Sequence, residues 1–219
     1  GIEFDQRYWQ FAANSLMLSI MAALLITVFA LLTAYAERLV PGRFAGGMRR
    51  VATLGYAVPG TVLAVGFYVP VAALSRGMDN LWGAGTLALQ SGLIVILLAY
   101  AARYLAVAHN PLDGALQRIK PEVEDASRGL GVAGANMLRR VHVPVLKPAL
   151  VIAGLLVFVD IMKELPITLM TRPFGWETLA VRVFQLTTEG EWERAALPAL
   201  AIVLVGLIPV VFLSRRIHR

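Results

Sequence analysis

Asp160, Lys163 and Glu164 are the side chains best placed to do chemistry, because they interrupt a long apolar run. A charge inside a membrane helix costs at least about 2.5–3.5 kcal/mol, so such residues are kept for a reason. On a helix, spacings of three and four residues put all three on one face. One lysine between two carboxylates leaves a net negative spot, from mid-membrane to its outer half, that must face protein or water. Two readings follow: the lining or gate of a cation path, whose ion pairs rearrange, or a buried network that fixes helix packing. Other chemistry has no candidates. The chain has no Gly-Lys pair and so no phosphate-binding loop, no serine or threonine in a nucleophile elbow, and no cysteine. His109, His142 and His218 lack zinc-site spacing and read as solvated loop residues.

A second constellation lies in the polar interlude from Lys120 to Pro148. Pro121 suits a first helical position, where its missing N–H has no partner in any case, and Glu122, Glu124 and Asp125 set negative charge on the positive end of the helix dipole. Gly129 and Gly131 stop the helix after about two to three turns. Met137, Leu138 and Val141 then recur at helical spacing beside Arg139 and Arg140, and Pro144 and Pro148 end that segment. An apolar stripe beside exposed arginines, between membrane spans, suits docking on a soluble partner; the plainer alternative is an ordinary amphipathic loop. Asp125, Ala126 and Ser127, then Gly131 after three residues, then nine residues and Val141 to Pro144, resemble the EAA loop of bacterial ABC importer permeases. The spacing matches at every point, with conservative departures at Asp125, Ser127, Val141 and Val143. In that family this loop, here 120–147, is the coupling helix that seats on the ATPase subunit. The resemblance therefore implies ATPase-coupling roles for Glu124, Asp125, Ala126, Ser127, Gly131, Val141 and Pro144.

These residues need elements to hold them, and composition says which kind. Apolar residues make up 58% of the 219-residue chain and charged residues 16%, far from a soluble domain near half apolar and a quarter charged. The chain reads as a single all-α integral membrane domain, residues 1–219, with about five spans over 11–36, 51–74, 86–104, 148–170 and 195–213. Span two carries Pro59-Gly60, Gly66 and Pro70, marks of a kinked helix inside the bundle. Arg103 and Tyr104 begin the exit of span three to the headgroups, and 75–85 forms a small neutral loop with Trp82 at interfacial height. The loop 37–50, the connector 103–147 and the tail 214–219 together hold 14 of the 20 basic residues. That side is cytoplasmic, which places the start outside and the end inside. The basic residues flank spans instead of clustering with aromatics, so the net charge of +6 does not indicate nucleic acid. Gly1 to Gln10 is too polar to open a signal peptide, and the chain reads as a piece of something longer.

Further blocks carry a narrower resemblance. Gly55 to Gly66, Met162 to Pro166, Arg172 to Gly175, Thr178 to Ala180 with Arg182 and Val183, and Ala195 to Pro198 with 202–208 are similar to ferric-iron type permeases. The likeness covers nearly the whole chain and implies a type I importer permease of the bacterial inner membrane. It looks like a carboxyl-terminal half, because the full permease has two homologous halves, each with a coupling loop. The implied partners are a cytoplasmic ABC ATPase dimer carrying ATP and magnesium, a second permease half or second copy, a periplasmic substrate-binding protein and the lipid bilayer; no cofactor is bound by this chain. Ferric ion prefers hard oxygen donors, so Asp160 and Glu164 could offer transient contacts without a firm metal site, with Lys163, Pro59 and Gly60 along the same path or gate. A polyamine, thiamine, a phosphonate or an oxyanion are alternative cargoes. A passive channel or membrane module without an ATPase is the alternative from another class, and a membrane enzyme is the third option. On the outer side, Leu179, Val183 and Leu186 with Ala180 and Phe184 predict a surface helix within 174–193. It would receive a binding protein or serve as an interfacial connector.

Overall fold

A computed structural model describes residues 7–40, 42, 46–47, 50, 54–82 and 92–217. Among them the chain is helical: α1 Arg7–Leu39, α2 Gly60–Trp82, α3 Leu93–Gln117, α4 Pro121–Gly129, α5 Ala135–Met162, α6 Pro166–Thr171, α7 Leu179–Thr188 and α8 Trp192–Ile217. Four of these, α1, α2 through Gly77, α3 and α5, are long and apolar enough to cross a membrane. The 26-residue α8 covers the fifth expected span.

The centre is a three-helix contact of α1, α3 and α5. Alanines 22, 30, 99, 108 and 153 are fully buried there. Small residues let helix backbones approach closely where lipid tails give no hydrophobic drive between helices. Leu18, Ile26, Ile96, Tyr100, Leu112, Leu116, Leu146 and Val157 fill the remaining volume. The outward faces are equally apolar: Leu24, Val28, Leu98, Leu156 and Val203 are all exposed. Helices apolar on every side require hydrocarbon around them. Against this core, α2 packs on α3 and α6, and α8 packs on α7 and α5. A second apolar cluster of Tyr8, Phe11, Met162 and Leu179 closes the other end.

Several boundaries differ from the sequence reading, each for a local reason. The helix of span three does not end at Arg103 and Tyr104; α3 runs on to Gln117, because Tyr104, Ala108, Leu112 and Leu116 continue the buried stripe at steps of four. Its expected start at 86–91 lies outside the described residues, as do 51–53 of span two. The loop expected from residue 75 is helical to Trp82. Pro144 and Pro148 do not end a segment, and span four does not begin at Pro148. Both lie within the 28-residue α5, just after a π-turn at Leu138–His142 in which Val143 N–H bonds to the Leu138 carbonyl. The wider turn gives the Pro144 ring room that an ordinary α-turn denies it. At its other end span four is broken at residues 163–165 before α6, instead of running unbroken to 170.

Candidate functional site

The polar loop forms α4 with the ends that its residues dictate. Pro121 occupies the first turn, and Gly131 takes φ +80° just beyond the helix. Gly131 N–H bonds to the Arg128 carbonyl at 2.9 Å and Val132 N–H to the Ser127 carbonyl at 2.9 Å. This pair of bonds closes a helix on a left-handed residue, which glycine adopts without the Cβ penalty. Ser127 Oγ donates back to the Val123 carbonyl at 2.7 Å.

No residue of α4 is buried, yet one side of it is held firmly. Glu124 Oε1 accepts from Arg38 Nε at 2.6 Å and lies 3.2 Å from His142 Nε2, while Oε2 accepts from Arg128 at 3.0 Å. Burial would raise the Glu124 carboxyl, but Arg38, His142 and Arg128 outweigh that and hold it below the usual carboxylate range. Arg38 also donates to the Leu116 carbonyl, which the Ile119 N–H shares at 3.1 Å, and, at 2.7 Å, to the Ile119 carbonyl, where α3 ends. One arginine thus joins the ends of α1 and α3 to α4. His142 is buried against Tyr35, with ring centroids 5.3 Å apart. It is not the solvated loop residue expected, and neither is the buried His109, 3.5 Å from Glu37; His218 lies outside the described residues. Asp125, Ala126, Val123 and Leu130 are exposed, with Asp125 paired to Arg128 at 2.6 Å. Of the remaining predicted coupling residues, Val141 is half-buried and Pro144 exposed on the first turns of α5.

The triad Asp160, Lys163 and Glu164 does not stay together on one face, because the helix breaks between them. Asp160 pairs with the exposed Lys163 at 3.0 Å. Glu164 turns inward instead and is 7% exposed. There it faces Arg103 Nε at 3.8 Å and accepts from Tyr104 Oη and from Ile167 N–H at 3.0 Å. Tyr100 and Thr168 hydroxyls are 2.6 Å apart, and Thr168 donates to the Glu164 carbonyl at 2.6 Å, which leaves Tyr100 as the donor of the first bond. The negative spot inferred from the sequence is therefore neutralised within the chain, by Lys163 on one side and Arg103 on the other. Among the described residues no group of three or more His, Cys, Asp or Glu could hold a metal ion.

Pro59 and Gly60 belong to the same cluster. The chain breaks at Val58 and Pro59, and α2 starts at Gly60 instead of kinking there. Arg103 Nη1 donates to the Val58 carbonyl at 2.9 Å. Two helix breaks, at 58–59 and at 163–165, are thus joined by one turn of α3 through Arg103 and Tyr104. Arg103 lies about 15 Å from the start of α3 at 1.5 Å per residue, near the middle of that helix. Gly60 makes room for the pair: a Cβ there would sit 3.0 Å from Arg103 Nη1 and 3.3 Å from Glu164 Oε1. Gly60→Val should cost about 1–3 kcal/mol by overpacking. In an Arg103→Ala background, where the guanidinium is gone, that cost should shrink, as measured by thermal unfolding in detergent; an equal cost in both backgrounds would refute the contact.

The sequence reading missed Arg38, Arg103, Tyr104, Thr168 and the two buried histidines. For Arg103 a signal existed, in the four-residue apolar steps that continue past it. The surface helix is α7, and its buried residues are Leu179, Ala180, Val181 and Leu186, with Phe184 exposed. It packs on α1 and α8, and Asn14 Nδ2 donates to the Glu177 carbonyl at 3.1 Å just before it.

No protein-family model matches the chain. It is 29% identical over 203 residues to the Fe(3+)-transport system permease protein FbpB 2 of Haemophilus influenzae, covering 93% of this chain and 38% of that protein. It is 34% identical over 149 residues to PhnV of Salmonella paratyphi A, a permease protein named for 2-aminoethylphosphonate transport, covering 66% of this chain and 56% of the relative. The chain thus spans between about a third and somewhat over half of the length of these two relatives. A solved bacterial alginate ABC transporter, in complex with an alginate-bound periplasmic protein, superimposes with a TM-score of 0.73 at 14% identity, over 99% of this chain and 81% of the solved one. Among the described residues the fold is all-helical, the fold shared with that ABC transporter chain.

Proposed function

We propose that the chain is the membrane-spanning permease of an ATP-driven importer in a bacterial inner membrane, with α4 as the helix that couples it to a cytoplasmic ATPase. The observation that carries this reading is the asymmetry of α4: Arg38, Glu124 and His142 fasten one side to the ends of α1, α3 and α5, while its remaining residues project unburied. A helix that must transmit force needs a rigid attachment on one side and a free docking surface on the other. ATP and magnesium belong to the partner ATPase dimer. A second permease half or second copy completes the path, and a periplasmic binding protein delivers the cargo on the side of α7. With α8 as a fifth crossing beside α1, α2, α3 and α5, the two ends lie on opposite sides, and the basic loops favour a start outside and an end in the cytoplasm.

Ferric iron is the cargo we favour, supported by the likeness to FbpB 2 along 93% of the chain. Asp160 and Glu164 support it less than the sequence alone suggests, since each already has a cationic partner. A phosphonate is the second reading, favoured by the likeness to PhnV. Uptake of radiolabelled iron against labelled 2-aminoethylphosphonate, in cells with and without the protein, separates the two.

The coupling role is tested by purification after coexpression with the products of neighbouring genes. An ATPase subunit should accompany the unaltered protein and be lost with Gly131→Asp, which puts a Cβ at a left-handed position and a new negative charge at the exposed end of α4. The variant must still insert in the membrane. If no ATPase accompanies either form, the importer reading fails.

A further inference from the structure

A cavity of about 580 Å³ lies between the end of α3, the start of α4 and the first turns of α5. Its inner wall is apolar, formed by Pro111 and Ala115 of α3 and by Val145, Ala149 and Ile152 of α5. At its mouth stand Arg118 and Lys120. Both are exposed, and neither is within ion-pair distance of a carboxylate among the described residues. The Arg118 Nε donates to the Gly114 carbonyl at 3.2 Å, which aligns the side chain and leaves its terminal nitrogens free. From Val145 to Ile152 the wall extends about 10 Å along the helix axis. The site therefore combines a slot directed along the membrane spans with two unneutralised cations at the end where the connecting loop begins.

We propose that this cavity binds an anionic phospholipid, its phosphodiester headgroup between Arg118 and Lys120 and an acyl chain against Ala115, Ala149 and Ile152. Charge complementarity selects the occupant. A neutral protein segment or a second apolar helix would leave both cations unpaired, whereas basic pockets between spans at the cytoplasmic face match anionic headgroups. Val123 of α4 also lines the cavity, so the bound lipid touches the coupling helix beside the attachment made by Arg38. This inference requires only that the chain spans a membrane and not that it serves an importer.

The test uses the purified protein in detergent, titrated with dioleoylphosphatidylglycerol, dioleoylphosphatidylcholine or sn-glycerol 3-phosphate and followed by native mass spectrometry and thermal unfolding. Phosphatidylglycerol should bind saturably and raise the unfolding temperature, with phosphatidylcholine binding more weakly. Arg118→Gln with Lys120→Gln should weaken phosphatidylglycerol about tenfold or more, from two lost cations. Arg139→Gln with Arg140→Gln, on exposed positions outside the cavity, should leave it nearly unchanged. Equal binding of both lipids, or equal weakening by both double variants, would overturn the site. Binding of glycerol 3-phosphate as tight as that of the lipid would overturn the lipid assignment in favour of a free phosphate ester.

Discussion

Arg103→Met should destabilise the protein by on the order of 3–5 kcal/mol, the cost of leaving a buried carboxylate without its counter-charge. Glu164 is 7% exposed, and Arg103 is the one cation within ion-pair distance of it among the described residues. The loss is compounded at the first helix break, where the Val58 carbonyl gives up its donor. Glu164→Gln alone should also weaken the cluster, because an amide keeps a carbonyl for Tyr104 or for the Ile167 N–H but leaves the half-buried Arg103 without its counter-charge. The double variant should recover much of the loss, since it buries no lone charge. Thermal unfolding of the three variants gives the coupling energy directly. Strict additivity, with the double variant losing the sum of the two singles, would show that the pair does not interact. If the cluster is also a gate, Arg103→Met that still folds should change transport rate more than cargo affinity, because Arg103 holds the two breaks in register.

What the sequence makes legible and what it hides can be seen at neighbouring residues. The ends of α4 follow from side-chain chemistry within one turn: a proline tolerated at the start and a glycine required at the end, at φ +80°. The longer boundaries do not, because a membrane helix gives prolines partners that a soluble one lacks. Pro144 follows a π-turn and Pro148 lies inside the regular part of α5, and nothing in their own identity foretells it. The triad fails for the opposite reason. Pro166 suits a new helix start, so the break that separates Lys163 from Glu164 was marked in the sequence, but the apolar run around it masked the sign. Arg38 and His142 were invisible as site residues because their partners lie 86 and 18 positions away. Arg38 counted only as one of the basic residues orienting the chain, and His142 only as a loop residue. Charge counting gives the side of the membrane; it says nothing about which charge is tied to which helix end.

Arg38→Ala should have the second large effect, and its signature is local. The substitution removes the donor of three hydrogen bonds at once, to Glu124 and to the carbonyls of Leu116 and Ile119. Bonds to a charged group contribute about 1.5–3 kcal/mol each, but here they are partly exposed and share one side chain, so a total of about 3 kcal/mol is expected. The intramembrane contacts of α1, α3 and α5 are untouched, because their shared core lies along the spans. The loss should therefore appear as faster amide exchange confined to the end of α3 and to α4, with exchange in the spans unchanged. Arg38→Lys should rescue little, since an ammonium cannot hold two carbonyls and a carboxylate in the fixed fork of a guanidinium. Under the importer reading, the ATPase should still associate, because the outward face of α4 is intact, yet cargo should no longer stimulate hydrolysis. Uniform exchange across the whole chain would mean that Arg38 stabilises the fold at large and not the attachment of the coupling helix. Unchanged exchange in α4 would mean that Glu124 and His142 hold that helix without it.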